Sequence, residues 1–225
     1  MFRAVVFDFD GTLVTGTHDG YVRCYHAAAE SQGYRLPITI TKQRVLEQWG
    51  QAPRIELESV LRETPALADK ALEVYEKLIL TELFSAEVCP IPGASDALAE
   101  LREMQVLPVV ISGMPKRLLE LFAMRFKFDF RANELISTID TDNPSKQKNT
   151  GFQLANEMAF RGWLPDELIV VGDAHSDILM AKQCSVVVFV VLTGFLTAEA
   201  GLALGAKRII KSVADLPAIV KRSGV

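Results

Sequence analysis

At 225 residues, with 49% hydrophobic and 23% charged side chains, the chain has material for a large buried core, which excludes a disordered or collagen-like polymer. Twenty-four basic residues against 28 acidic ones leave a net charge of −4, so the positive footprint of a nucleic-acid-binding protein is missing. The longest apolar run, Val186 to Leu192, is far short of the ~20 residues of a membrane-spanning helix. The opening MFRAVVFDFD carries two aspartates where a signal peptide would be apolar. A cytoplasmic protein is expected, with neither nucleic acid nor membrane as partner.

Cys24, Cys89 and Cys184 are odd in number and widely spaced, with no CxxC pattern. They read as reduced thiols acting as small buried hydrophobes, not as zinc ligands or a disulfide framework.

Arg3 to Phe7 is a short apolar, β-branched run that stops at DFDGT, the pattern of a buried strand entering a tight turn. From Gly16 to Glu87 no convincing strand follows, and apolar residues fall at helical spacing. Helices are predicted over Asp19–Gln32, Thr41–Trp49, Pro53–Arg62 and Ala66–Phe84, punctuated by Pro37, Gly50 to Pro53, and Thr64-Pro65. This stretch reads as a helical insertion of about seventy residues, the size of a small domain.

After Pro90, Pro92 and Gly93, strand-like and helical patterns alternate. Strands are predicted at Val106–Ile111, Leu168–Val171 and Val186–Leu192, with a weaker fifth at Arg208–Ile210. Helices are predicted at Ala94–Met104, Pro115–Phe126, Thr150–Arg161 and Asp177–Cys184. The alternation predicts an α/β fold: a doubly wound, mostly parallel sheet with helices on both faces and an inserted all-α domain. The core would comprise residues 1–16 and 87–225, and the insertion residues 17–86.

Sheets of this kind place ligands at the carboxyl ends of their strands. Those ends carry Asp8 and Asp10 after the first strand, Ser112 and Gly113 after the second, and Asp173 with Asp177 after the third. Asp8 and Asp10 are two apart on an extended segment, so their side chains tend to one side while Phe9 points to the other. Each aspartate alone could be an N-cap or turn former. Together they would repel by about 4 kcal/mol per pair at 4 Å and an effective dielectric near 20, a cost a bound cation removes. Oxygen ligands without Cys or His favour Mg²⁺. Ser112-Gly113, leading into a helix with Pro115 in its first turn, combines a hydroxyl, free amides and a helix N-terminus, which suits an anion. Lys146 and Lys148 in a polar loop could supply positive charge.

The order DFDGTLV (Asp8 to Val14), VVISG (Val109 to Gly113), a loop lysine and VVGDAHSD (Val170 to Asp177) resembles the four motifs of the haloacid dehalogenase superfamily, in its phosphatase branch with a helical cap. PIPGASDALAEL (Pro90 to Leu101) and LGAKRIIKSVADLP (Leu204 to Pro217) are similar to core segments of phosphoglycolate-phosphatase-type members. The resemblance implies Asp8 as a nucleophile forming an aspartyl-phosphate, and Asp10 as general acid and then base. It implies Mg²⁺ held by Asp8, the Asp10 carbonyl and Asp173, supported by Asp177, with Ser112 and the Gly113 amide on the phosphoryl oxygens. Lys148, 25 residues before Asp173 as is common in the family, is chosen over Lys146 as the phosphate-site lysine, although Asn149 follows it where Pro is frequent.

The implied substrate is a small-molecule phosphate ester and the implied assembly a monomer or homodimer. A cap would close over the core during transfer, with Arg54 of the loop Trp49 to Arg54 a candidate to grip a carboxylate or second phosphate. His175 is expected to face solvent, and His18 and His26 to be structural. Phosphomutase action is the alternative within the superfamily, and Thr12 favours hydrolysis over it. A phospho-acceptor module that does not turn over, of receiver type, is the alternative outside it; its acid pair is usually adjacent and its domain half this length.

Overall fold

A computed structural model describes residues 2–139 and 150–222. Eight strands occur among these residues: β1 (Ala4–Phe7), β2 (Val14–Thr15), β3 (Cys89–Pro90), β4 (Leu107–Ser112), β5 (Leu135–Ser137), β6 (Leu168–Gly172), β7 (Val187–Val191) and β8 (Arg208–Ile210). Six form one sheet in the order β5-β4-β1-β6-β7-β8, and every pairing in it is parallel. The chain builds outward from β1 to β4 and β5, then returns to the other side of β1 with β6. The strand order therefore reverses at β1, and the crevice at such a reversal is where this architecture receives ligands.

The described residues divide into two compact units. One holds those up to Thr15, Cys89–Ile139 and those from Thr150 onward; the other holds Gly16–Val88. The chain leaves and re-enters the first unit through the antiparallel pair β2 and β3, with Val14 opposite Pro90 and Thr15 opposite Cys89.

Helices of the second unit are α1 (Thr17–Ser31), α2 (Ile38–Leu46), α3 (Pro53–Val60), α4 (Ala68–Leu78) and α5 (Glu82–Ser85). The long helix expected over Ala66–Phe84 is thus three pieces, beginning with a 3₁₀ turn at Pro65–Leu67. Thr81 breaks it. Its hydroxyl donates to the Leu78 carbonyl at 2.7 Å and accepts from the Leu83 amide at 3.3 Å, ending one helix and capping the next. Inside this unit Tyr25 stacks on Tyr75 at 4.3 Å and donates its hydroxyl to the buried Glu56 carboxylate, which also accepts from the Gly50 amide at 3.1 Å. Burial pushes Glu56 up to about 7.

The first unit adds α6 (Ala94–Glu103), α7 (Lys116–Arg125), α8 (Thr150–Arg161), α9 (His175–Gln183), α10 (Ala198–Ala203) and α11 (Leu216–Arg222). One face of the sheet packs Val6, Ile111, Val170 and Val188 with Leu154 of α8 and Ile178 of α9. Residues of opposite parity, Val5, Phe7, Val110 and Val171, are fully buried as well. Burial on both faces explains why these strands are continuous apolar runs. Cys24 is buried and its thiol pushed up to about 12, and Cys184 is half-buried. Cys89, expected inside, is exposed because β3 is a two-residue ladder at the edge of the unit.

Phe9 is fully buried between Asp8 and Asp10, with ring centroids 6.5 Å from Phe122 and 6.2 Å from Phe128. This anchorage directs the flanking aspartates. Phe122→Ala should lower the unfolding free energy by about 3–5 kcal/mol, measured by urea denaturation, because it leaves a cavity beneath Phe9.

Candidate active site

In register, Phe7 of β1 lies opposite Val110 of β4 and Val171 of β6. Asp8, Ser112 and Asp173 consequently leave three adjacent strands at the same edge of the sheet. The Asp8 amide donates to the Val171 carbonyl at 2.9 Å, which ties the end of β1 to β6.

Carboxylate oxygens of Asp8, Asp173 and Asp177 lie within 4.8 Å of one another. At that distance each pair of charges repels by roughly 3 kcal/mol at an effective dielectric near 20. Asp173 and Asp177 are buried and Asp8 is half-buried. Among the described residues no salt bridge joins any of the three to a basic side chain. Desolvation, followed by the charges of Asp177, Asp173 and Asp10, holds Asp8 well above the usual carboxylate range. Burial pushes Asp173 up to about 6. Burial and then the Asp173 charge push Asp177 up to about 7. A cluster of buried carboxylate oxygens without a basic partner among the described residues suits a hard divalent cation.

Asp10 is half-buried, and its charge reaches Asp8, although its carboxylate is not one of the three that meet. Asp177 serves two roles at once. From the first turn of α9 it accepts from the Ala174 amide at 2.9 Å and the Asp173 amide at 3.1 Å, while its carboxylate belongs to the cluster. Capping α9 and lying in the carboxylate cluster are therefore not exclusive.

Ser112 is buried at the end of β4, and its hydroxyl accepts from the Met114 amide at 3.3 Å. Gly113 is half-exposed beside it. Pro115, expected in the first helical turn, caps α7 from outside with extended backbone. Lys146 and Lys148 lie outside the described residues. Arg54 is in the first turn of α3, where its guanidinium donates to Glu58 at 2.5 Å and Asp69 at 2.7 Å, so a substrate anion would compete with two carboxylates. His175 is exposed, as expected, and His26 pairs with the Thr41 hydroxyl at 3.1 Å.

Two partners of Asp173 escaped the sequence reasoning. Thr12 donates its hydroxyl to Oδ1 at 3.3 Å, and the Phe195 amide donates to Oδ2 at 2.9 Å. Phe195 contributes main chain, which no side-chain pattern reveals. A signal existed in Thr193-Gly194, a polar-glycine pair at the carboxyl end of a fourth strand.

The model of one hydrolase family, haloacid dehalogenase-like hydrolase, matches residues 2–185. The chain belongs to that family. It is 26% identical over 216 residues to a phosphoglycolate phosphatase of Synechococcus elongatus, covering 95% of each chain. A phosphoglycolate phosphatase of Pseudomonas aeruginosa is 30% identical over 199 residues, covering 82% of this chain and 67% of that one. Among solved structures, a haloacid dehalogenase-like family hydrolase of Streptococcus pneumoniae superposes with a TM-score of 0.76 at 16% identity, covering 97% and 98% of the two chains, a likeness of fold. The family membership agrees with the motif resemblance and with the α/β architecture.

The raised carboxyls make stability depend on pH with a definite sign. In the folded chain they retain protons that the unfolded chain releases above a pKa of 3.8, so the cation-free protein should lose stability as pH rises from about 4 to about 7. Glu56 acts in the same direction. Asp8→Asn should therefore flatten only part of this slope. At pH 7 it should raise the cation-free melting temperature by about 2–4 °C for each kcal/mol of repulsion removed, read by thermal denaturation in chelator.

Proposed function

We propose that this hydrolase is a magnesium-dependent phosphatase of small phosphate monoesters, working through an aspartyl-phosphate, with phosphoglycolate the first substrate to test. The observation that carries this reading is the meeting of Asp8, Asp173 and Asp177 within 4.8 Å at the sheet edge that also presents Ser112. Phosphoglycolate phosphatases of two bacteria among the relatives support the substrate.

Asp8 and Asp173, with the Asp10 carbonyl, would hold Mg²⁺, and Asp177 would secure Asp173 through its amide. When bound, the ion neutralises the carboxylates and the phosphoryl oxygens around it. Asp8 attacks phosphorus with a carboxylate oxygen as the ester P–O bond breaks, and Asp10 gives a proton to the departing alkoxide. Asp10 then takes a proton from water, which cleaves the acyl-phosphate to inorganic phosphate and restores Asp8. The Ser112 hydroxyl and Gly113 amide orient the phosphoryl oxygens, and Lys148 supplies fixed positive charge to them.

In this proposal residues 17–86 act as the cap that selects the substrate, and the core is residues 1–16 and 87–225. No helix of the described residues is long and apolar enough to cross a membrane, which suits action on a small metabolite in the cytoplasm.

Multiple turnover of p-nitrophenyl phosphate that requires Mg²⁺, followed by a panel of metabolite phosphates including phosphoglycolate, tests the proposal. A single stoichiometric phosphorylation would instead indicate an acceptor module. Asp8→Asn should reduce turnover by at least ~10⁴-fold while the protein stays folded by circular dichroism. Lys148→Ala should cost more activity than Lys146→Ala in the same assay, and the opposite order would transfer the role to Lys146.

A further inference from the structure

The segment that follows β7 is bonded to both halves of the acidic centre. The Phe195 amide donates to Asp173 Oδ2 at 2.9 Å, and the Leu196 amide donates to the Asp173 main-chain carbonyl, also at 2.9 Å. In the other direction, the Thr193 hydroxyl donates to the Gly11 carbonyl at 2.5 Å, in the turn that carries Asp10 and Thr12. Between these bonds lies Gly194, where an added Cβ would overlap the Asp173 carboxylate. Gly11 also abuts this carboxylate: its φ is +70°, and a Cβ there would lie 2.5 Å from Oδ2.

Asp173 is thus confined by two glycines, and its two oxygens are held by different donors, Oδ2 by the Phe195 amide and Oδ1 by the Thr12 hydroxyl. A carboxylate offers about four lone-pair directions, so those left over keep a defined aim. Thr193 closes the circuit by tying the segment that holds Asp173 to the turn that follows Asp8. Groups that orient a ligating carboxylate in this way control metal affinity without touching the ion.

Resting on the reading of this centre as a magnesium site, we infer that Thr193, Gly194 and Phe195 form a positioning strap that sets the aim of Asp173 and its separation from Asp8, and thereby the affinity for the cation. Its bonds run to Asp173 and to the Gly11 carbonyl, so its residues act through Asp173 and are positioning residues. It joins residues 182 apart in the chain, Gly11 and Thr193.

Calorimetric titration with Mg²⁺ of the wild type, Thr193→Val, Thr193→Ser and Gly194→Ala tests this, alongside turnover and metal-free crystal structures of the wild type and Gly194→Ala. Thr193→Val should weaken Mg²⁺ binding by about 10-fold. Thr193→Ser should restore it, and the KM for the ester at saturating Mg²⁺ should not change. Gly194→Ala should turn the Asp173 carboxylate away from its wild-type rotamer and weaken Mg²⁺ further. Unchanged affinity in Thr193→Val, a loss that serine does not rescue, or an unmoved Asp173 in Gly194→Ala would each overturn the strap. A wild type that neither binds Mg²⁺ nor hydrolyses any ester would reject the phosphatase reading instead. The strap would then be decided by the Asp173 rotamer in the metal-free Gly194→Ala crystals.

Discussion

Like charges brought together in a low-dielectric crevice govern this structure. Three carboxylates whose oxygens lie within 4.8 Å of one another are an arrangement that folding alone opposes, through repulsion and desolvation together. The surrounding chain reduces the cost with main-chain dipoles. Amides of Asp173 and Ala174 point at Asp177, the first turn of α9 adds its positive end, and the Phe195 amide points at Asp173. Space is reduced to a minimum as well. Gly172 leaves room only for Asp177, and Gly11 and Gly194 leave room only for Asp173. Crowded and polar, with no basic side chain bonded to its carboxylates among the described residues, the cluster has the donor chemistry that suits a hard cation.

The parallel sheet makes this convergence possible. Asp8 and Asp173 are far apart in the chain, yet they leave neighbouring strands in register because the strand order reverses at β1. Period-two alternation then separates tasks within a few residues: Phe9 anchors the strand end in the core while its neighbours face the site. Packing and chemistry therefore share one peptide segment, and loosening the aromatic cluster would be felt by the carboxylates.

The helical unit has a polar problem of its own. Glu56 is buried with Tyr25 and the Gly50 amide as its partners, and Arg54 on the same helix is engaged by Glu58 and Asp69. Arginine at a helix start reads from sequence as an available cation. The i,i+4 spacing to Glu58 offers one partner in sequence, but the second, Asp69 on α4, depends on how α3 meets α4 and shows only in the structure. The break at Thr81 was hidden for a related reason. A threonine within an apolar periodicity reads as a helical residue until its hydroxyl is seen capping two helices at once.

The alternation of apolar runs and helical spacings determined the parallel α/β core, because strands buried on both faces must be continuously apolar and must be joined by crossovers. The aspartates after the first and third strands and Ser112 after the second were legible for the same reason: the rule that places ligands at carboxyl ends needs only strand order. Elements too short to show a period, such as β5, α10 and β2 with β3, emerged only from their tertiary partners. Tertiary structure also decided that Asp177 rather than Asp10 completes the carboxylate trio, that Cys89 is exposed, and that the main chain of Phe195 reaches Asp173. Each of these depends on the separation between groups remote in the chain, and side-chain identity carries no information about that distance.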